Sequence, residues 1–507
     1  GITRDQFVTR MERAREFSRM LPSLFEQQIS MDAYAVFKEK MFRFPGFFVQ
    51  PRTLRKYPFP VAAHIFGYVG EVSPAMIQRN PYYRMGDYIG ISGIEKHYEE
   101  VLRGRKGSRI MMVDAHNRDI GSFQDGRYDT LAVAGKDLFT TLDLQLQMYG
   151  ERLMQNKRGS IVVIEPATGE ILALITSPGY DPNLLVGRAR SANYQILQND
   201  TLKPLFNRAL MAHYPPGSVF KVANFLVGLQ EGGITAHSRF SCPGFYASGG
   251  IVVRCRPHNQ PVNAVSALKY SCNTFSCIQF RRTLELPKYS NIQHALGTWR
   301  NHIQSMGFGT PFNSDLPHEL SGIIGSPELY DRIYGPRGWS ALTVISLAIG
   351  QGEIGTTPIQ LANLAAIVAN RGYYITPHIV RAIGHPDSLN HRYLVPNFTT
   401  IDSAHFELMV EAMYQTVESG TAQFSKIPGI TMAGKTGTVQ NPHGENHSAF
   451  IGFAPVDNPK IAVAVLVENA GSGSAWAAPI TSLMIEKYLT DTITRTWFEQ
   501  RILDAKF

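Results

Sequence analysis

Strand-like sequence stands at both ends of the second part of this chain, and one fold has to bring the two ends together. Ser160-Ile-Val-Val-Ile-Glu165 and Glu170-Ile-Leu-Ala-Leu-Ile175 are apolar runs joined by the turn sequence Pro166-Ala-Thr-Gly169, which predicts a hairpin. A second hairpin is expected from Lys435 to Gln440 and Ala449 to Phe453, with a further buried strand from Ile461 to Val467. Helices fill the space between them. One is bounded by Thr357 as a cap, Pro358 in its first turn and Gly372 at its stop. Others start at Asp143 and run from about Ala477 to Leu489. The fold class this implies is α+β: one antiparallel sheet with long helical insertions.

The chain changes character near Asp137, which divides it into residues 1–136 and 137–507. The stretch to about Lys40 is helix-like, with Phe7, Met11, Phe17 and Leu21 at roughly helical spacing. Phe44 to Val49 reads as a turn plus a short strand, and a helix is expected to end near Leu102-Arg-Gly104. Arg109 to Val113 and Arg118 to Ile120 form a hairpin pattern around Ala115-His-Asn117. This first part is mixed and irregular, and nothing in it has catalytic spacing.

A length of 507 residues allows two to four domains. Charged residues are 18%, too few for long disordered charged tails. No run of about 18 uncharged apolar residues exists, so no membrane-spanning segment is expected in this stretch, and no secretory signal is present. The chain starts at Gly1 without a Met, which leads us to expect that an N-terminal segment has been removed. The net charge of +8 is thinly spread, and no basic run exceeds Arg103-Gly-Arg-Lys106. That fits a mildly basic surface or attraction to an anionic surface or polymer; no nucleic-acid motif is present.

Three short motifs carry chemistry. In Pro216-Gly-Ser-Val-Phe-Lys221, Ser218 can open a helix and Lys221 then lies one turn on, on the same face. A serine hydroxyl needs a base to become a nucleophile, and a lysine amine serves only where burial or another cation lowers its pKa. Alone, such a pair is ordinarily an exposed helix pair. Ser271-Cys-Asn273 puts a hydroxyl and an amide two residues apart, able to relay protons and hold a substrate amide. In Lys435-Thr-Gly-Thr438, Gly437 lets a ligand lie flat along a strand edge, while Lys435, Thr436 and Thr438 suit a carboxylate; the ordinary alternative is a strand with a bulge. Ser218 and Ser271 are 53 residues apart, Asn273 and Lys435 162. The three in this order resemble the motif set of serine β-lactamases and penicillin-binding proteins.

The flanks extend this match. Tyr214-Pro-Pro-Gly-Ser-Val-Phe-Lys221, Tyr270-Ser-Cys-Asn-Thr-Phe275 and Ala433-Gly-Lys-Thr-Gly-Thr438 resemble the penicillin-binding transpeptidases. So do Ile164-Glu-Pro-Ala-Thr-Gly-Glu170, Ser346-Leu-Ala-Ile-Gly-Gln-Gly352 and Phe450-Ile-Gly-Phe-Ala-Pro455, and the resemblance spans about residues 137–490. His64-Ile-Phe-Gly-Tyr-Val-Gly70, Gly93-Ile-Glu-Lys-His-Tyr98 and Leu102-Arg-Gly-Arg-Lys-Gly107 are similar to the class B, elongation-type branch, the penicillin-binding protein 2 family. No stretch is similar to the glycosyltransferase region of class A.

The resemblance implies a penicillin-binding transpeptidase domain over 137–507, preceded by a non-catalytic pedestal and partner-binding domain over 1–136. The family's short cytoplasmic tail and N-terminal inner-membrane helix would be absent, leaving the periplasmic part. Ser218 would be the acylated nucleophile, Lys221 its base, and Ser271 and Asn273 the proton relay and backbone-binding pair. Lys435, Thr436, Gly437 and Thr438 would bind the terminal carboxylate, with the N–H groups of Ser218 and Thr438 as oxyanion hole. The implied substrate is a D-Ala-D-Ala-ended peptidoglycan stem peptide, the inhibitors are β-lactams, and the partner is a membrane glycosyltransferase of the elongation complex. No cofactor is implied for catalysis. No carboxylate of the class A lactamase kind is evident for activating water, and Glu353, near a family-like motif, receives no catalytic part. A D,D-carboxypeptidase or a β-lactam sensor would share the acylation site, although sensors lack such a pedestal.

All four cysteines fall between positions 242 and 277. Cys242, Cys255, His258 and Cys272 read Cys-x12-Cys-x2-His-x13-Cys, a donor set suited to structural zinc; free buried thiols and disulfides are the alternatives. Some elongation-type relatives are similar in holding zinc at this place, partly through Asp, with a Cys inside the second motif as Cys272 is here. Cys277 is expected in the core, and His237 is the alternative ligand.

Overall fold

The structure is a computed structural model describing residues 2–18, 23–26, 29–50, 54–115 and 119–507. Five strands form its central sheet: β1 (Gly159–Ile164), β2 (Ile171–Ser177), β3 (Ala433–Val439), β4 (His447–Ala454) and β5 (Ile461–Val467). Their order is β3-β4-β5-β1-β2, with every pair antiparallel. All residues of β1, β2 and β5 are buried. Val162, Ile164, Leu174, Ala462 and Ala464 enter the core on one face, and Ile161, Val163, Ile175, Val463 and Val465 a second core on the other. Burial on both faces is why these strands read as unbroken apolar runs rather than as alternation.

The helices that position the site are α1 (Leu144–Leu153), α2 (Lys221–Glu231), α3 (Ala264–Lys269), α4 (Asn273–Leu284), α5 (Pro358–Ala369), α6 (Ser403–Ser419) and α7 (Ala477–Thr490). Asp143 caps α1 by accepting from the Leu146 N–H at 2.9 Å. Residues of α1 and α7 join the second core, and those of α2, α4 and α5 the first. All twelve residues of α5 are buried, as expected for a helix apolar on every side. Its Gln360 side chain accepts from the Thr357 N–H at 3.1 Å and donates to the carbonyls of Gly307 and Ser321 at 3.0 and 2.8 Å.

The first part is irregular, as its sequence implied. Its helix-like start is two helices, Arg4–Phe17 and Met31–Lys38, capped by Thr3 and Ser30. Leu21 lies outside the described residues. Of the turn and short strand expected over Phe44–Val49, the turn forms at Pro45-Gly46, where the Phe47 N–H donates to the Phe44 carbonyl at 3.2 Å, and the strand does not. A single 3-10 turn, Met41–Arg43, precedes it, and the phenylalanines cluster instead: Phe47 lies 5.0 Å from Phe25 and 6.3 Å from Phe44, ring centre to ring centre. Met111–Val113 pairs with Asp119–Ser122 as the expected hairpin, whose turn residues 116–118 lie outside the described residues. Among the described residues, no helix is long and apolar enough to cross a membrane.

Polar contacts seat the first part on the second. The Ala62 N–H donates to Glu151 at 2.8 Å, and Asn183 both accepts from the Tyr57 N–H and donates to its carbonyl. Ile65, Ile94 and Tyr98 belong to the same core as the sheet. Asp315, fully buried, accepts from the N–H groups of Ile379 and Val380 at 2.9 and 2.7 Å and from the Tyr98 hydroxyl at 3.1 Å. Asp315→Ala leaves two buried N–H groups unpaired and should cost about 3 kcal/mol, against about 1 kcal/mol for Tyr98→Phe. Urea unfolding of the two variants checks this; equal losses would show that Asp315 serves only the Tyr98 contact.

Candidate active site

The Ser218 turn is fixed by two interlocking glycines. Gly217–Phe220 is a 3-10 turn running directly into α2. Gly217 has φ +58°, its N–H donates to the Gly350 carbonyl at 2.9 Å, and a Cβ on it would lie 2.8 Å from the Thr438 oxygen. Gly350 has φ +70°, and a Cβ there would lie 2.2 Å from the Gly217 oxygen. Only glycine allows this approach. A Cβ on Gly437 would meet the Val219 side chain at 3.1 Å, so the Ser218 turn lies along β3. Ser218 itself is half-buried.

Ser271-Cys272-Asn273 sits between the end of one helix and the start of the next. The Ser271 N–H donates to Leu268 at 3.1 Å and the Cys272 N–H to Ala267 at 2.7 Å, the paired bonds of a Schellman stop to α3. That stop needs a left-handed residue, normally glycine; here Ser271 takes φ +57°. The conformation costs about 1 kcal/mol for a residue with a Cβ, and such strain concentrates at functional sites. Cys272 then caps α4, its sulfur accepting from the Phe275 N–H at 3.3 Å.

Two buried amines converge on Ser271. Lys221 Nζ donates to Asn273 Oδ1 at 2.6 Å and to the Ser271 carbonyl at 2.8 Å, and lies 3.3 Å from the Ser271 hydroxyl. Lys435 Nζ lies 3.0 Å from the same hydroxyl and donates to the Thr436 carbonyl at 2.8 Å. Neither side chain is exposed. Burial pulls the Lys221 amine down to about 8. Burial also pulls Lys435 well down, with help from the charges of Lys221 and Arg256. The structure thus joins Lys221, Ser271, Asn273 and Lys435 by direct hydrogen bonds and places the Ser218 turn on the adjoining strand. Thr438 is half-buried on that strand, while the Thr436 hydroxyl pairs with that of Thr421 at 2.8 Å.

Several supporting groups were not evident from sequence. Gly350 lies within the quoted Ser346–Gly352 stretch, but its carbonyl as partner of Gly217 carried no local signal. Thr421, in the loop after α6, had none either. Glu468 accepts from the Tyr214 hydroxyl at 2.7 Å and pairs with Arg208 at 2.9 Å and Arg158 at 3.1 Å, anchoring the segment that leads to Ser218. Glu353 accepts from the Tyr330 hydroxyl at 2.8 Å.

The ligand atoms of Cys242, Cys255, His258 and Cys272 all lie within 4.8 Å of one another. The Cys255 sulfur is 3.6 Å from His258 Nε2 and 3.7 Å from the Cys272 sulfur, and it accepts from the Asn273 N–H at 3.2 Å. His258 Nδ1 lies 3.0 Å from the Asn259 carbonyl and 3.2 Å from the Gln260 amide nitrogen. Hydrogen bonds from Cys272 and from neighbouring N–H groups hold the Cys255 thiol far below the ordinary range, favouring a thiolate. All four cysteines are unbridged. Cys277 is a core residue, and exposed His237 stands outside the cluster.

Residues 159–486 match the penicillin binding protein transpeptidase domain, and residues 1–140 the penicillin-binding protein dimerisation domain. The peptidoglycan D,D-transpeptidase MrdA of Acinetobacter baumannii is 32% identical over 504 residues, covering 94% of this chain and 72% of that protein. PBP2 in a complex with MreC from Helicobacter pylori superposes with a TM-score of 0.78 at 26% identity, over 96% of this chain and 92% of that one. A chain of a peptidoglycan synthase complex that coordinates polymerization and crosslinking gives 0.77 at 25% identity, over 97% and 86%. The chain belongs to the penicillin-binding transpeptidases.

The Lys221 amine can take a proton only when neutral. With burial holding it at about 8, a Lys221 that acts as the base for Ser218 would make acylation by a penicillin rise about tenfold per pH unit below that value and level off above it. The rate of adduct formation against pH measures this; a flat profile through about pH 8 would exclude Lys221 as the base.

Proposed function

We propose that this protein is a serine peptidoglycan D,D-transpeptidase that cross-links strands during cell elongation. The observation that carries this reading is the pair of buried amines, Lys221 and Lys435, sharing the Ser271 hydroxyl beside the Ser218 turn. Ser218 Oγ attacks the carbonyl between the two D-alanines of a stem peptide, and its proton passes to neutral Lys221. The oxyanion faces the N–H groups of Ser218 and Thr438. Collapse expels D-alanine, whose nitrogen receives a proton returned through Lys221 and the Ser271 hydroxyl, and leaves an acyl–Ser218 ester. An amine from a neighbouring stem then attacks the ester and restores Ser218. Lys435, Thr436, Gly437 and Thr438 hold the terminal carboxylate. β-Lactams follow the same first step and remain attached.

Residues 1–136 form the pedestal and partner surface in this reading, and 137–507 the transpeptidase. The protein acts at the periplasmic face of the inner membrane, held by a helix preceding this stretch. A membrane glycosyltransferase of the elongation complex is its partner, in line with the synthase complex and the MreC complex of its structural neighbours. Incubation with a fluorescent penicillin should give one covalent adduct, on the peptide holding Ser218, and Ser218→Ala should abolish it. Lys221→Ala should slow acylation at least about a hundredfold, the scale of general-base loss. Labelling elsewhere would sink the assignment.

Cys242, Cys255, His258 and Cys272 would hold zinc. Three thiols and an imidazole match its donor preference, and four ligands close the coordination shell, which marks a structural site. Bound there, the ion would fix the loop presenting Ser271 and Asn273. Protein purified without chelator should carry about one zinc by plasma mass spectrometry. Cys255→Ser should lose both the metal and several degrees of melting temperature. Under a tenth of an equivalent, with unchanged melting, would remove the site.

A further inference from the structure

Beside the strand that holds the terminal carboxylate lies a hollow that the acylation step leaves unused. Its walls are the loop after α6, the segment leading into α7, and the last helix, Thr496–Asp504. Thr421, Gln423, Phe424, Ser474, Phe498 and Arg501 line it, and its volume of about 370 Å³ is that of a small-ligand cleft. Two of these walls are fixed to β3 at successive residues. The Thr421 hydroxyl pairs with that of Thr436 at 2.8 Å. On the other wall Gly473, next to Ser474, packs so closely on β3 that a Cβ there would lie 2.4 Å from the Gly437 oxygen and 2.9 Å from its nitrogen. The hollow therefore adjoins Thr436 and Gly437.

Its lining is not that of a gap in the core. Arg501 donates to the Ala475 carbonyl at 3.3 Å and stands 5.0 Å from the centre of the Trp476 ring, with no carboxylate paired to it among the described residues. The Gln423 side chain is exposed and makes no hydrogen bond among the described residues. Phe424 is 81% exposed, although the buried Phe498 ring lines the same hollow. A guanidinium, an amide and an aromatic face on one concave surface suit a ligand that carries a carboxylate on an aliphatic arm.

The reaction itself says what comes to this place. The departing D-alanine has its nitrogen at the reacting carbonyl and its carboxylate on β3. In the second half of the reaction an amine must reach the same carbonyl. Its nitrogen forms the new C–N bond, the C–O bond to Ser218 breaks, and the proton lost by the amine returns to Ser218 Oγ. Attack retraces the path of departure, so the amine enters where D-alanine left, and the stem that carries it extends past Thr436. We propose that the hollow between Thr421, Ser474 and Arg501 is the acceptor subsite. It seats the amine-bearing stem peptide of the second strand, with Arg501 on a stem carboxylate behind the attacking amine and Phe424 against the aliphatic side chain. This rests on the transpeptidase reading above and gives the second substrate of the same site its place.

The test uses the full chain acylated by a benzoyl-D-alanyl thioester, with the products of amine transfer and of hydrolysis separated by mass spectrometry. Three acceptors are compared. The first is D-alanine. The second is N-acetyl-L-alanyl-γ-D-glutamyl-meso-diaminopimelate, whose reacting end repeats the amine and carboxylate of D-alanine. The third is the same peptide with its other two carboxylates amidated. With the native protein, the peptide should divide product equally between transfer and hydrolysis at about a tenth of the concentration that D-alanine needs, and amidation should remove most of that advantage. Arg501→Gln should bring the peptide and its amide within about twofold of each other, and Arg501→Lys should keep part of the difference. Phe424→Ala should weaken both peptides about threefold relative to D-alanine. A native protein that takes the peptide no better than D-alanine would overturn the subsite, as would a carboxylate preference that survives in Arg501→Gln. So would a loss of D-alanine transfer as large as that of peptide transfer, which marks a general disturbance of β3. Fluorescent penicillin run in parallel separates the two failures: no Ser218 adduct and no released thiol sink the transpeptidase reading, whereas labelling without acceptor preference sinks the subsite alone. If Arg501→Gln unfolds, the native comparison of the peptide with its amide still decides.

Discussion

One hydroxyl lies between two buried amines, and much of the catalytic half is arranged around that fact. Ser271 Oγ is 3.3 Å from Lys221 Nζ and 3.0 Å from Lys435 Nζ, and both lysines are wholly buried. Two ammonium groups held to one hydroxyl, out of water and with no carboxylate hydrogen-bonded to either among the described residues, repel each other and lose the hydration of both charges. The arrangement favours one amine in its neutral form, which is the state a proton acceptor needs. Three independent elements have to agree to produce it: α2 brings Lys221, β3 brings Lys435, and the junction of α3 and α4 brings Ser271. The glycine contact between residues 217 and 350 then sets the Ser218 turn against the same strand.

The second motif shows how the loop between two helices is held without glycine. Its first residue is the left-handed stop of α3, its second caps α4 through a sulfur, and its third spends its side chain on Lys221 and on the Arg254 carbonyl. Nearly every polar group of the tripeptide is thus engaged before a substrate arrives. Preorganisation of this kind means that little reorientation is left for the reaction step.

The parts of the fold that were legible in sequence are those buried on two sides or bounded by strong stop signals. β1, β2 and β5 were readable as apolar runs because helices cover both faces of the sheet, and α5 because Thr357, Pro358 and Gly372 bracket it. The Phe44–Val49 stretch misled, since aromatic residues favour strands and aromatic clusters alike, and only tertiary packing chose the cluster. Within the site, the motif residues were legible and their supports were not. Nothing local marks Ser271 as left-handed, because the signal for that conformation is normally glycine. The partnerships of Gly350 with Gly217 and of Thr421 with Thr436 depend on segments far apart in the chain, and Arg254 acts on Asn273 through a carbonyl that every residue type possesses.

The strand order carries a consequence for how the chain reaches its folded state. β5 joins the meander β3-β4-β5 to the hairpin β1-β2, and its Ala462 pairs with Ile164, 298 residues earlier. The early hairpin therefore keeps an unpaired, largely apolar edge until nearly the whole chain is available, and an open edge of that kind invites pairing with other chains. Contacts of such long sequence separation make folding slow. A chain cut short before Ile461 would hold Ser218, Lys221, Ser271 and Lys435 and still lack the strand that joins the two halves of the sheet beneath them.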